Sequence, residues 1–266
     1  MALEEAGLDG SDIDEIIVAT DTPEVYTPDT AAFLQDRLGA GSIPAYDLGG
    51  SGCAGWLQAI DVARARIALH PERNLVVGVE LISRIISWKE RETCVLFGDG
   101  AGAVVMGPEG GTAKVLDVVA GTDGSKAGIL TLSTGGTRHP FNQEAVTSGA
   151  YNHLTMNGRE VFREAVRRMS EAAREIIERV GASLADVALV VPHQANQRII
   201  DAVGKELGVE PDRMYSNIAS YGNIGSATVP FALWEARRNG RIRPGDLVVA
   251  AAFGAGFHWA AAAVQF

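Results

Sequence analysis

The sequence predicts an α/β protein in which two similar halves, each a buried sheet covered by helices, pack together in layers. Short continuous apolar runs alternate with amphipathic helical patterns, which indicates parallel strands that are buried on both faces. The same series of elements occurs twice, in residues 12–107 and again in residues 186–266. A repeated order of strands and helices predicts two related halves around a shared core.

The two series match element by element. The first reads strand DIDEIIVAT, helix TAAFLQDRLG, strand IPAYDLGG, helix CAGWLQAIDVARARIAL, and strands NLVVGVE and AGAVVMG. The second reads strand DVALVVPH, helix NQRIIDAVGKELG, strand RMYSNIASYG, helix SATVPFALWEARRNG, and strands DLVVAAAFGAG and WAAAAVQF. Element types, lengths and order agree, so we predict two halves, residues 1–110 and residues 111–266.

The repeat also contains a gap. The second half carries a further strand, AKVLDVVAG from Ala113, and a long helix from Met156 to Val180 before its first matched strand. The first half has only MALEEAGL at that place. By internal symmetry we expect that an N-terminal strand and helix of the first half are missing from this sequence.

Composition restricts the class of protein. The 266 residues are 47% hydrophobic and 21% charged, values typical of globular domains. The formal net charge of −10 disfavours general binding to nucleic acid or to anionic membranes. The sequence has no apolar run of membrane-spanning length, no basic and apolar signal region at its start, and two cysteines, too few for a disulfide framework. We therefore expect a cytoplasmic protein without nucleic-acid or membrane partners, and the histidines and cysteines show no metal-ligand spacing.

Three chemically active residues occur where predicted strands end and helices begin. Cys53 follows the strand AYDLGG and opens a helix, and the partial positive charge of a helix N-terminus favours a thiolate. His193 ends the strand VALVV, and Asn223 occupies in the second half the position that Cys53 has in the first. Ligands of open α/β sheets bind at this carboxyl edge, so we predict that the three residues share one site.

Two glycine-rich segments and the second cysteine have different interpretations. FGAGF, from Phe253 to Phe257, predicts a strand end with exposed N–H groups that can hold an oxyanion, although a simple β-bulge has the same pattern. FGDGAGAVV is followed by a strand pattern where a nucleotide loop requires a helix, so we do not interpret it as a nucleotide site. Cys94, in the apolar run TCVLF, is interpreted as a structural residue of a strand.

Together these motifs resemble the β-ketoacyl-acyl carrier protein synthase III family of the thiolase-like superfamily. The resemblance covers about Ala6 to Phe266, through GCAGW, FGDGAGA, MNGREVF, VPHQANQRII, YGNIGSATVP, GRIRPGD and FGAGFHWAAAAVQF. It implies a layered αβαβα fold and an acyltransferase without a cofactor. It further implies a decarboxylating Claisen condensation of an acyl-CoA starter with malonyl-acyl carrier protein, in fatty acid initiation or a polyketide-type pathway, by a homodimer.

The resemblance also implies roles for further residues. The oxyanion hole consists of the backbone N–H groups of Cys53 and Ala255, and His193 and Asn223 donate hydrogen bonds to an enolate. Residues near the CoA and pantetheine arm or the acyl tunnel are Arg91, Met156, Gly158, Phe162, Asn196, Arg198 and Phe253. A basic patch for the acidic carrier protein, suggested by helical spacing, contains Arg159, Arg163, Arg198 and Lys205. Acidic residues alternate with the arginines of the first helix, so a solvated face explains that pattern equally well.

The sequence departs from the family pattern at two places, which keeps alternatives open. The spacing from Asp47 to Cys53 is one residue longer than the family pattern, with GGSG in the turn, and Glu92 stands where a glycine is expected. One alternative is a relative that transfers the acyl group to another oxygen, nitrogen or carbon nucleophile in secondary metabolism. The others are a cysteine hydrolase and an inactive, truncated paralogue.

Overall fold

The structure is a computed structural model that describes residues 1–132, 134–152 and 154–266. Its first half contains α1 (Ala2–Ala6), β1 (Glu15–Ala19), α2 (Thr30–Arg37), β2 (Ala45–Leu48), α3 (Gly55–Leu69), β3 (Asn74–Leu81), α4 (Arg91–Cys94) and β4 (Asp99–Met106). The strands form one sheet in the order β2-β1-β3-β4. The first three are parallel, and β4 is antiparallel to β3.

The second half begins with β5 (Lys114–Thr122), β6 (Leu130–Leu132), α5 (Gln143–Ser148), β7 (Leu154–Met156) and α6 (Gly158–Arg179). It continues with β8 (Val187–Pro192), α7 (Gln197–Leu207), α8 (Ile218–Tyr221), α9 (Thr228–Arg238), β9 (Leu247–Gly254) and β10 (His258–Gln265). Its main sheet has the order β5-β10-β9-β8, and β6 and β7 form a separate antiparallel pair. In this sheet β5 pairs with β10, whereas the equivalent side of β4 pairs with no strand among the described residues.

The two sheets lie on either side of α3 and α9, which form a central helical layer. Trp56, Leu57 and Ile60 of α3 pack in one buried cluster with Ile17 of the first sheet and Ala250 of the second. A helix covered on both sides must be apolar on most of its surface, as α3 is. Helices α6 and α7 cover the outer face of the second sheet, and α2 covers the first. The resulting αβαβα layers confirm the predicted fold class.

Two predicted strands are wrong. The segment RMYSNIASYG makes only an isolated bridge between Met214 and Val190, and its end forms α8. The side chains of Tyr215, Asn217 and Tyr221 donate hydrogen bonds to Glu235 of α9 at 2.8, 2.8 and 2.9 Å. These bonds hold the segment as a turn instead of a strand.

The other error concerns the run TCVLF, where α4 includes Thr93 and Cys94 and ends there. The Thr93 hydroxyl donates to the Glu90 carbonyl at 3.1 Å, which stabilises a helical turn. Three apolar residues after it are too few to define a buried strand against this local bond. In the part of the chain that the structure describes, no helix combines the length and apolarity that spanning a membrane requires.

Candidate active site

Cys53 lies in the turn between β2 and α3, at the carboxyl edge of the first sheet. The turn Gly52–Ala54 is a 3-10 helix that leads directly into α3, so the sulfur is close to the α3 N-terminus as predicted. Gly52 has φ 55° and packs so tightly that a Cβ there would lie 2.6 Å from the Ala255 nitrogen. Only glycine fits both the left-handed backbone and this contact.

Asn223 precedes α9, and its side chain lies beside the cysteine. Its backbone is fixed on both sides, because its N–H donates to the Leu96 carbonyl and its carbonyl accepts from Gly98 N–H. Its side-chain Oδ1 accepts the Gly225 N–H at 2.9 Å and lies 3.9 Å from the Cys53 sulfur. Since these neighbours face the oxygen, the amide Nδ2–H groups are available as donors.

His193 follows the last residue of β8 and is 2% exposed. Desolvation lowers the pKa of His193 to about 3, so its ring is neutral at pH 7. Its Nδ1 lies 2.7 Å from the Thr228 hydroxyl, which also lies 2.9 Å from the Gly225 carbonyl. A hydroxyl has one hydrogen, so Thr228 donates either to the Gly225 carbonyl, which leaves the ring hydrogen on Nδ1, or to Nδ1, which leaves it on Nε2 and available to a substrate. The tautomer of His193 is therefore linked to the orientation of the Thr228 hydroxyl.

The surroundings of Cys53 raise the pKa of its thiol. Desolvation is the largest cause, the negative charges of Glu80 and Asp21 add to it, and hydrogen bonds with Asn223 and its own N–H oppose it. The net direction is opposite to the one expected from the α3 N-terminus alone. A substrate therefore meets a thiol, whose proton must leave as the sulfur attacks.

The end of β9 packs directly against the cysteine turn. A Cβ at Gly254 would lie 2.5 Å from the Cys53 nitrogen, and Ala255 N adjoins Gly52. The backbone nitrogens of Cys53 and Ala255, predicted to form the oxyanion hole, therefore belong to two segments in close contact. The two halves meet at this contact.

Comparison with known proteins agrees with this geometry. Residues 46–124 match the family described as 3-oxoacyl-[acyl-carrier-protein] synthase III, and residues 177–266 match its C-terminal domain. The β-ketoacyl-[acyl-carrier-protein] synthase III of Symbiobacterium thermophilum is 44% identical over 266 residues, which are 100% of this chain and 80% of that protein. The chain belongs to the β-ketoacyl-[acyl-carrier-protein] synthase III family. It is an acyltransferase with a thiolase-like fold.

Solved structures give the same result. The β-ketoacyl-[acyl carrier protein] synthase III of Thermus thermophilus is 43% identical with a TM-score of 0.86, over 96% of this chain and 78% of that one. The priming β-ketosynthase of the R1128 polyketide biosynthetic pathway is 35% identical with a TM-score of 0.87, over 99% and 78%. Both fatty-acid-type and polyketide-type members of the family are therefore similar to this chain.

Two of the predicted substrate residues, Arg91 and Met156, line one cavity of about 380 Å³. Glu92 lines the same cavity, so the departure noted in the sequence does face the space where an anionic ligand is expected. The other predicted substrate residues do not line this cavity. Gly158 begins α6, Phe162 is 38% exposed on α6, Asn196 caps α7 by accepting Ile199 N–H, Arg198 is exposed on α7, and Phe253 is buried against Phe257.

The residues of the predicted carrier-protein patch differ in whether acidic neighbours compensate their charge. Arg163 lies 3.5 Å from Glu160 and 3.8 Å from Glu164, so its charge is largely compensated. Arg159, Arg198 and Lys205 are exposed, and no ion pair is formed by them among the described residues. Because α6 and α7 pack side by side, these three cations lie on neighbouring helices.

Two acidic residues that the sequence analysis did not single out lie beside the cysteine. Glu80, the penultimate residue of β3, is 2% exposed and accepts hydrogen bonds from Asp21 N–H, Thr22 Oγ1–H and Ser226 Oγ–H. Burial first, and then the charge of Asp21, raise the pKa of Glu80 to about 7. Its position at the end of an apolar strand is the signal that identified His193, and it could have identified Glu80 too.

Proposed function

We propose that this protein condenses an acyl-CoA starter with malonyl-acyl carrier protein through an acyl-Cys53 intermediate, and releases a β-ketoacyl-acyl carrier protein. The observation that carries the proposal is the position of the Asn223 amide beside the Cys53 sulfur, with Oδ1 held by Gly225. A neutral His193 is linked to Asn223 through Thr228 and Gly225, which supports the two as a pair of uncharged donors to one oxygen. Such a pair stabilises an enolate without readily protonating it.

In the first step the Cys53 sulfur attacks the thioester carbonyl of the acyl-CoA. The N–H groups of Cys53 and Ala255 hold the oxyanion, the carbon–sulfur bond to CoA breaks, and the acyl group stays on Cys53. The thiol proton leaves with CoA, which departs as a thiol. The raised pKa of the Cys53 thiol makes this proton transfer part of the loading step.

In the second step the malonyl thioester loses carbon dioxide, and the electron pair of the broken carbon–carbon bond forms an enolate. His193 Nε2–H and the Asn223 amide donate to the enolate oxygen. The enolate carbon then attacks the acyl-Cys53 carbonyl, and the cleaved carbon–sulfur bond returns Cys53 as a thiolate. The CoA and phosphopantetheine thioesters are substrates, and the mechanism uses no cofactor.

We assign carrier-protein binding to Arg159, Arg198 and Lys205, because acidic carrier proteins need a local basic surface on a chain of formal net charge −10. We also propose a homodimer. Trp88 and Val95 are 66% and 63% exposed, and they stand in sequence on either side of the cavity-lining residues 90–93. An exposed apolar patch is typical of an interface. The halves 1–110 and 111–266 remain our proposed domain division.

Intact-mass measurement after mixing with a panel of acyl-CoAs tests the proposal. The expected result is a mass increase equal to the acyl group on the unmodified protein and none on Cys53→Ala. The acyl-protein should then lose the group only when a malonyl thioester is added. An unmodified protein that gains no mass from any acyl-CoA would exclude the mechanism.

Transfer to an acceptor other than malonyl carbon is the second candidate. The longer turn before Cys53 favours it. Carbon dioxide release from malonyl thioester in step with loss of the acyl group supports condensation. Loss of the acyl group to an alcohol or amine without carbon dioxide supports the alternative.

A further inference from the structure

The turn before Cys53 is anchored at both ends, so its middle must absorb the longer spacing. Asp47 of β2 accepts the N–H groups of Thr30 and Ala31 at 2.8 and 2.9 Å, which fixes the start. At the other end, Cys53 leads directly into the buried helix α3. Between them Gly50 and Gly52 have φ values of 76° and 55°, and such a turn needs partners for its N–H groups.

Asp21, two residues after β1 ends, supplies the partner. Because β1 and β2 are parallel neighbours, their carboxyl ends meet at one edge and Asp21 faces the turn. Its carboxylate Oδ1 accepts the Gly50 N–H at 2.9 Å, and the Gly52 N–H also stabilises the carboxylate. We propose that Asp21 is a positioning residue for Cys53, whose carboxylate holds the turn 49–52 so that the Cys53 sulfur and N–H keep their place beside Ala255.

The backbone of Asp21 is itself held by a residue at the end of β3. Its N–H lies 3.2 Å from each carboxylate oxygen of Glu80, and Glu80 is held by Thr22 and Ser226. The path of contacts therefore runs from β3 through Asp21 to the turn. A loss at Asp21 frees the turn without removing any group that touches the substrate.

The electrostatics exclude a simpler role in activating the thiol. The charges of Asp21 and Glu80 raise the pKa of Cys53, so they disfavour the thiolate. His258 also faces Asp21, and its charge would favour the carboxylate. An acidic residue that opposes thiolate formation contributes to the reaction through geometry, by accepting N–H groups.

The turn also leads to the Cys53 N–H of the proposed oxyanion hole, so the position of the turn should affect acyl transfer. Gly52 and Gly254 are in such close contact that neither has room for a Cβ. A shift of the turn therefore changes the distance between the two N–H groups that hold the oxyanion. A misplacement of about 1 Å reduces the rate roughly 100-fold.

The experiment compares Asp21→Ala, Asp21→Asn and the control Asp36→Ala, which removes an exposed carboxylate on α2. Asp21→Asn keeps an oxygen for the Gly50 N–H but removes the charge. Amide hydrogen exchange in the peptide 49–57 measures how firmly the turn is held. The acylation rate with acetyl-CoA and the alkylation rate with iodoacetamide measure Cys53.

Asp21→Ala should exchange faster in peptide 49–57 and lose about 10- to 100-fold in acylation rate. Its alkylation, which uses no oxyanion hole, should not slow. Asp36→Ala should keep wild-type exchange and acylation, and Asp21→Asn, which keeps one acceptor oxygen, should lose less of both than Asp21→Ala. Wild-type exchange in Asp21→Ala, or an acylation loss in Asp21→Asn as large as in Asp21→Ala, would overturn the inference. The acylation arm rests on the proposed function; if the wild-type protein is not acylated, that function fails and hydrogen exchange still decides the role of Asp21.

Discussion

The side-chain oxygen of Asn223 lies 3.9 Å from the sulfur of Cys53. The two residues come from equivalent turns of the two halves, one before α3 and the other before α9. Their contact places a nucleophile from the first half beside a donor from the second. This separation of roles allows acyl loading and condensation to be tested independently.

Asn223→Ala should retain loading of Cys53 but lose condensation. The amide donor acts on the enolate, and removing one such donor costs about 100-fold or more in rate. Intact mass should show acyl-Cys53, while carbon dioxide release from malonyl thioester falls. Equal loss of both steps would show that Asn223 acts on the nucleophile instead.

Thr228→Val should reduce condensation about tenfold, the value of one hydrogen bond of about 1.4 kcal/mol. Valine keeps the shape but cannot donate to His193 Nδ1, so the tautomer with a hydrogen on Nε2 loses its support. Thr228→Ser keeps the hydroxyl and is the matched control. Condensation measured with preloaded acyl-Cys53 isolates this step, and an unimpaired Thr228→Val would contradict the proposed role of the hydroxyl.

Glu80→Gln should change how stability depends on pH. The pKa of Glu80 is raised from 4.5 to about 7 on folding, so the folded state binds its proton more tightly. Its contribution is fully present below pH 4.5 and is lost as pH rises through about 7. The free energy of unfolding of the wild-type protein, followed by thermal unfolding, should therefore fall as the pH rises over this interval. Glu80→Gln should lack this dependence; the same slope in both proteins would show that another group causes it.

Glu92→Gln should lower the KM for acyl-CoA about two- to fivefold, the effect of one exposed charge. Glu92 and Arg91 line one cavity, and a carboxylate there repels the phosphates of CoA. Glu109→Gln, which removes an exposed charge outside the residues that line this cavity, is the control. An unchanged or higher KM would mean that CoA phosphates do not approach Glu92.

Arg159→Glu together with Lys205→Glu should raise the KM for malonyl-acyl carrier protein about tenfold, and added salt should reduce the difference. The KM for malonyl-CoA should stay the same, because the patch contacts the carrier and not the thioester. Lys114→Glu on β5 serves as a control for charge reversal outside the patch. Equal effects with both malonyl donors would place these residues at the thioester arm.

The sequence predicts the order of elements and the meeting of Cys53 with Asn223, because both follow from a repeat in the chain. It fails at RMYSNIASYG, where three side chains bind Glu235 on a helix that lies later in the sequence. The direction of the Cys53 pKa is missed for a similar reason. Glu80 and Asp21 come close to the thiol only in the folded chain, so their charges cannot be inferred from the residues next to Cys53 in sequence.

The central layer has a consequence for how this enzyme can change. Helices α3 and α9 are enclosed by both sheets, so the turns before them tolerate few substitutions. Phe162, which we propose lines the acyl tunnel, lies on an exposed element, where one side chain can be replaced without repacking the interior. Substrate preference can therefore diversify while the reaction chemistry is inherited unchanged, and redesign for a new starter unit should begin at that outer position.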